Sequence, residues 1–316
     1  MTRTLVTGAG GFVGANLVRR LAAGGDPPLA LVRPGSGRWR LDPLGDAVEV
    51  VEADLRDGDA TAALIAARRP ERVFHLAAHG AYSTQRDVGR IFETNLLATA
   101  GLLDACLEAG VEAFVNSGSS SEYGLKDHAP REDEALHPNS AYAVGKAAAS
   151  MYCAQRAAET GARVVTLRLY SAYGPWEEPS RLIPTLVLAG LDGRLPPLVD
   201  PRIARDFVHV DDVVDAYLAA AEAGRPGAAY NVGTGVQTTL ADAVAVAREL
   251  LGVSARPEWG SMPDRDWDTT TWVADPALIA AELGWAPRHD FRGGLAATIE
   301  WFRDPPHRAH YESRPA

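Results

Sequence analysis

Thr4-Leu5-Val6-Thr7-Gly8-Ala9-Gly10-Gly11-Phe12-Val13-Gly14 lies near the start of the sequence and joins an apolar run to a glycine turn. Thr4 to Thr7 has strand character. Apolar residues at helical spacing follow from Phe12 to Ala23, so the pattern predicts strand, tight turn and helix. A turn this tight needs residues without a Cβ, and their absence lets backbone N–H groups approach an anion. The first turn of the helix beyond adds its partial positive charge. Gly8, Gly11, Phe12, Val13 and Gly14 are therefore the candidate cradle for a dinucleotide pyrophosphate.

Beyond this turn, short apolar runs alternate with helical stretches. Strands are expected at Leu29 to Val32, Val48 to Val51, Arg72 to Leu76, Ala113 to Ser117 and Arg163 to Leu169. Helices are expected at Asp59 to Ala67, Val88 to Ala109 and from Asn139 or Ser140 to Thr160, the last with Gly161 past its end. Such alternation implies an α/β fold with a parallel, doubly wound sheet. The rhythm breaks after Tyr173, where Pro and Gly become frequent. A helix at Asp211 to Glu222 and a strand near Ala228 to Val232 follow, and then a tail without sheet rhythm. The expected division is 1–172 with 206–232 as one domain, and 173–205 with 233–316 as a smaller second one.

At 316 residues the chain is long enough for two cores, and 47% apolar with 23% charged residues is ordinary for a folded protein. The formal charge of −10 disfavours nucleic acid as a partner, because phosphate backbones need a basic face. No apolar run is long enough to cross a bilayer and no signal-peptide pattern precedes Gly8, which implies a cytoplasmic protein without a membrane partner. Cys106 and Cys153 lack metal-ligand spacing and read as small core residues, so no metal is expected.

A dinucleotide-binding strand pair usually places an acid at the end of the second strand to hold the ribose 2′-OH. Here Arg33-Pro34-Gly35-Ser36 stands there, with Arg38 nearby. A guanidinium and a hydroxyl suit a 2′-phosphate, so the sequence favours NADP(H) and leaves NAD(H) open. Asp54, after the third strand, is placed either to accept from the adenine amino group or to cap the next helix.

Tyr142-Ala143-Val144-Gly145-Lys146 sets a phenol and an ammonium four residues apart, on one helix face. A nearby Lys⁺ favours phenolate and is expected to lower the phenol pKa, fitting it for acid–base work on an alcohol or ketone. The run Ser117-Gly118-Ser119-Ser120-Ser121 leaves a strand end and supplies a hydroxyl for the same oxygen.

Together these motifs resemble the extended short-chain dehydrogenase/reductases, the branch of nucleotide-sugar epimerases, dehydratases and ketoreductases. The resemblance spans nearly the whole chain. It extends to Leu76-Ala77-Ala78, Asn95, Tyr123-Gly124, Tyr173-Gly174-Pro175, the run from Arg205 to Asp212, and Tyr230 to Gly235. It implies a Rossmann domain with a smaller C-terminal α/β substrate-binding domain. It implies Tyr142 as acid/base, Lys146 as its partner and ribose ligand, and Ser119 as the hydrogen-bonding hydroxyl. Leu55, Leu76, Ala77, Ala78, Asn95 and Tyr170 would join the cofactor site. Arg205 and Arg265 would grip the diphosphate of a nucleotide sugar, with His79, Tyr82, Ser83, Ser120, Ser121 and Arg181 on the substrate side. A homodimer built on the long helix and the Tyr-Lys helix is also implied.

Members that eliminate water or carbon dioxide carry acids directly after the catalytic hydroxyl, whereas Ser120 and Ser121 stand here. Glu122 follows one place later, and reads as a solvated or supporting carboxylate. The preferred reading is reduction of an NDP-keto-deoxysugar at C4. An NDP-sugar 4-epimerase with bound NAD is the second reading. A dinucleotide-sensing regulator on the same fold is a third, disfavoured because Tyr142 and Lys146 are both kept.

Overall fold

The computed structural model describes residues 3–82, 84–262 and 268–312. In chain order the strands are β1 (Thr4–Thr7), β2 (Leu29–Val32), β3 (Glu49–Glu52), β4 (Arg72–His75), β5 (Ala113–Ser119), β6 (Arg163–Leu169), β7 (Ser171–Tyr173), β8 (Ala204–Arg205), β9 (Phe207–His209), β10 (Ala229–Val232) and β11 (Thr238–Thr239). The α-helices are α1 (Phe12–Ala23), α2 (Gly58–Arg68), α3 (Val88–Phe92), α4 (Ala98–Glu108), α5 (Ala141–Thr160), α6 (Leu182–Leu191), α7 (Val210–Ala223), α8 (Leu240–Leu251), α9 (Ala277–Leu283), α10 (Phe291–Arg303) and α11 (Pro305–Glu312).

Seven strands form one parallel sheet in the order β3-β2-β1-β4-β5-β6-β10. The order reverses between β1 and β4, and a doubly wound sheet opens its crevice at that point. Apolar residues cover both faces. On one side Leu17, Val18 and Leu21 of α1 pack with Val213, Val214 and Tyr217 of α7, and Ile279 and Trp285 are buried in the same cluster. On the other, Ile65 of α2, Leu102 and Leu103 of α4 and Ala157 of α5 pack with both cysteines, which are free and buried. Each fully buried aliphatic side chain contributes roughly 1.5–3 kcal/mol. A separate core joins Ile183 and Leu186 of α6, Ala243 and Val244 of α8, and Leu295, Ile299 and Phe302 of α10. Its only strand pairings among the described residues are short, β8 with β11 and β7 with β9.

The expected unbroken helix from Val88 to Ala109 contains a π turn at Glu93–Leu97 between α3 and α4. Asn95 sits in it, fully buried, with its side chain turned to the backbone of His79. Thr99 Oγ1 donates to the Asn95 carbonyl at 2.9 Å. Satisfying those polar groups widens one turn, which a repeat of apolar residues does not reveal. Among the described residues, no helix is long and apolar enough to cross a membrane.

Candidate active site

The crevice is lined first by the glycine turn. Gly8 has φ +64°, and a Cβ there would lie 2.6 Å from Ala77 N at the end of β4. A Cβ on Gly14 would collide with the Gly8 carbonyl, so strand and helix approach as closely as they do only because both lack side chains. Gly11 is the N-cap of α1, yet no side chain caps this helix and no acid stands in its first turn. Its N–H groups are thus left for an anion. The cradle fits the pyrophosphate of a dinucleotide.

Past β2, the Ser36 hydroxyl donates to the Arg33 carbonyl at 2.6 Å and closes a turn. Among the described residues the Arg33 guanidinium makes no ion pair, although its charge bears on Asp54 and His79. Arg38 lies 3.8 Å from Glu52. Asp54 does not cap α2; Asp57 does, accepting from Ala60 N at 3.0 Å. Asp54 instead holds Arg56 through two oxygens, at 3.0 and 2.6 Å, and this hydrogen bonding lowers its pKa. Leu55 is buried beside it.

On the β4 side, Leu76 N donates to Thr7 O and Ala77 N to Thr7 Oγ1, at 3.2 and 3.3 Å. Ala78 and His79 follow, and the Asn95 amide takes both the N–H and the carbonyl of His79, at 2.8 and 2.7 Å. Expected as a direct cofactor ligand, Asn95 acts through the loop it fixes. His75, unremarked in the sequence reading, is wholly buried between Thr7 and Thr99, at 2.8 and 2.9 Å, and burial lowers its pKa to about 3. A histidine within the apolar run Val73-Phe74-His75-Leu76 was the available signal.

Ser119 ends β5 and Ser140 caps α5, accepting from Ala143 N at 3.1 Å, so each catalytic candidate sits on a fixed element end. The Ser119 hydroxyl is near enough to the Tyr142 phenol to lower its pKa, while its own hydrogen bonds are made to Ser121. Lys146 lies one turn further along and is almost fully buried. The expected depression of the phenol pKa is not what this arrangement produces. Burial dominates and raises Tyr142 to about 12; Ser119 and Arg181 pull it down, Glu122 and Tyr82 push it up. Burial likewise lowers Lys146 to about 8, against the favourable charge of Glu122. At neutral pH the phenol carries its proton.

Glu122 is not solvated. It is fully buried and accepts from Ser119 N at 2.8 Å, from Ser150 Oγ at 3.0 Å and from Arg168 Nε at 3.0 Å. Its carboxylate holds the backbone of Ser119, and both of its oxygens are engaged. Ser121 Oγ lies 2.7 Å from Ser119 Oγ, and Ser120 is buried.

The substrate side agrees less closely with the sequence. Arg181 donates to the Ala81 carbonyl at 3.1 Å and sits 5.0 Å over the Tyr82 ring, close enough to Tyr142 to affect its ionisation. Arg205 is not a free cation: it pairs with Asp268 at 2.7 Å and donates to the Ala204 carbonyl. Tyr170, expected at the cofactor site, packs its ring on Trp272 among Tyr123, Asp206 and Arg168. Ser83 and Arg265 lie outside the described residues. In the run from Arg205 to Asp212, Asp206 serves a turn, accepting from Thr234, Gly235 and Ala274 N–H groups at 2.8 to 3.0 Å. His209 caps α7, and it brings one of three ligand atoms, with Asp211 and His289, that lie within 4.8 Å of one another.

Two buried charged groups here escaped the sequence reading. Glu177 has one carboxyl oxygen without a partner, and burial pushes its pKa up to about 8. It follows Trp176, whose φ of +69° is rare for a residue with a side chain and costs about 1–3 kcal/mol. The second is Arg40, which reaches the same loop from the connection after β2.

A pyrophosphate cradle at the reversal point of a parallel sheet, with serine, tyrosine and lysine at its rim, defines a dinucleotide-dependent enzyme of the short-chain dehydrogenase/reductase type. The chain belongs to the NAD dependent epimerase/dehydratase family, which matches residues 4–233. It is 33% identical to a dTDP-glucose 4,6-dehydratase of Streptomyces griseus, over 98% of this chain and 96% of that protein. It is 34% identical to a UDP-glucose 4-epimerase of Mycolicibacterium smegmatis, over 96% and 99%. The solved structure of MoeE5 in complex with UDP-glucose and NAD superposes with a TM-score of 0.83 at 34% identity, covering 95% of this chain and 98% of that one.

Proposed function

We propose that this protein reduces a ketone on a nucleotide-activated sugar, at C4 of an NDP-keto-deoxysugar, without eliminating water. The observation that carries this reading is Glu122, buried beside Ser119 and held by hydrogen bonds from Ser119 N, Ser150 Oγ and Arg168 Nε, so that the carboxyl nearest the serine run is already engaged. Water loss needs a further acid near the reacting carbons, and serines stand at 120 and 121. Ser119 and Tyr142 hold the ketone oxygen between two hydroxyls. A reduced nicotinamide held on the glycine turn would supply the hydride. As the C=O bond becomes C–O, Tyr142 passes its phenolic proton to the forming alkoxide, and Lys146 stabilises the charge left on the phenol.

NADPH is the preferred dinucleotide in this reading, on the strength of Arg33 and the absence of an acid after β2. A second reading, 4-epimerisation with retained NAD, is favoured by the kinship with UDP-glucose 4-epimerases and uses the same three residues. The nucleotide-sugar side is assigned to 173–205 and 233–316, the dinucleotide side to 1–172 and 206–232. A homodimer would bury Val88, Leu97, Val144 and Met151, which are exposed along α3 to α5.

The test is a panel of UDP- and dTDP-sugars and their 4-keto-6-deoxy forms, each incubated with NADH or NADPH and followed by nicotinamide absorbance and product NMR. Consumption of NADPH only with keto-sugars supports reduction. Interconversion of 4-epimers with no net consumption, by protein that releases NAD on denaturation, favours the second reading. Inertness toward the whole panel removes both.

A further inference from the structure

We infer that Arg40 is a positioning residue that couples the dinucleotide turn to the substrate loop, so that occupancy of one site tightens the other. The inference rests on the nucleotide-sugar reading above. The connection from β2 to β3 serves two places in turn. Its first part, Arg33 to Arg38, lies where the adenosine ribose is expected. Its chain then turns back, with Leu41 N donating to Arg38 O at 2.7 Å, and sends Arg40 inward.

The Arg40 side chain is 5% exposed and spends its planar fork on two different loops. One nitrogen donates to the Gly10 carbonyl of the glycine turn at 3.2 Å. Another donates to the Trp176 carbonyl at 2.6 Å, and the third meets Glu178 at 3.0 Å. Trp176 is the residue forced to positive φ, and its ring is also held by Arg19 at 3.9 Å. Trp39 stacks on the Arg40 guanidinium at 4.2 Å. Five residues beyond Trp176 the same loop ends in Arg181, over Tyr82 and beside Tyr142.

A continuous set of contacts therefore runs from Gly10 through Arg40 to Trp176 and Glu178, and on to Arg181. A desolvated guanidinium is expensive unless all its bonds are made. Here the full set can be made only when the glycine turn and the substrate loop hold their relative places. A ligand that fixes one loop thereby favours the bound geometry of the other, and the coupling is reciprocal. Lysine could keep the charge but not the fork.

The experiment measures the affinity of NADP⁺ for the full chain with and without saturating UDP-glucose or dTDP-glucose, in a Tyr142→Phe background that prevents turnover. Calorimetry gives the ratio of the two affinities, and tryptophan fluorescence reports Trp39 and Trp176. The expected ratio is about tenfold with arginine at 40. It falls to about one in Arg40→Gln and stays below threefold in Arg40→Lys, and this loss of ratio is read separately from any change in NADP⁺ affinity measured alone. Glu178→Ala removes one arm at a more exposed position and is expected to roughly halve the logarithm of the ratio, which tests the idea even if Arg40→Gln does not fold. A side chain that only supports the fold would lower melting temperature and leave the ratio intact. An unchanged ratio in these variants, or a ratio of one with arginine in place, overturns the inference while leaving the nucleotide-sugar reading standing. Failure to take up any dinucleotide overturns that reading and the coupling together.

Discussion

The glycine turn and the loop from Gly174 to Arg181 face each other across one crevice, and they are built in opposite ways. The turn is specified within eleven residues: its conformation follows from missing side chains, and its ligand-facing N–H groups belong to the backbone. The loop keeps a residue at positive φ and depends on side chains from α1, from the connection after β2 and from α11. The glycine turn is thus held by local backbone geometry, whereas the loop from Gly174 to Arg181 is held by long-range side-chain contacts.

The largest effect expected is that of Tyr142→Phe. Loss of the proton donor should reduce turnover about 100- to 10,000-fold in the NADPH assay, with dinucleotide affinity nearly unchanged. Glu122→Ala should cost about 3–5 kcal/mol in chemical denaturation, because it strands Arg168 as an unpaired buried cation. A loss below about 1 kcal/mol would show that the serine strand end does not need this support.

In the loop, Glu177 offers a pH test. Its folded pKa, about 8, lies above the usual carboxyl value, so its protonated form favours the native state. That contribution is complete below the ordinary pKa of about 4.5 and is lost as pH rises toward 8. Glu177→Gln should therefore be more stable than the parent at pH 8, by roughly 2–4 kcal/mol, with little difference at pH 4. Equal stability at both values would mean that the carboxyl finds a partner. The smallest effect expected is that of Arg33→Asp, about a tenfold shift in relative affinity from NADPH toward NADH, read from KM values for the two.

Much of the sheet was legible because β1, β2 and β6 are short apolar runs whose bounds coincide with those expected, and because α5 begins at a serine cap and ends at Gly161. That Tyr142 and Lys146 share one face was legible because one helix carries both, whereas Ser119 was singled out of the serine run by the family resemblance. The direction of the Tyr142 pKa was not legible, since burial is its largest cause and burial is a tertiary property. Arg205 was read as a free cation because its partner stands 63 residues away. The same distance argument hides Arg40, whose bond to Glu178 spans 138 residues, and Asn95, whose role depends on a loop 16 residues upstream.

The last strand of the parallel sheet, β10, enters only after the chain has visited the second core and returned. β6 would otherwise leave the backbone edge from Thr166 to Leu169 unpaired at the sheet's margin, a template for any other extended polypeptide. Cutting the gene near codon 172 should accordingly give an insoluble N-terminal fragment, recoverable when the remainder is supplied in trans. The parallel sheet is thus completed by a strand that follows part of the second core in sequence, so the two cores are interlaced along the chain.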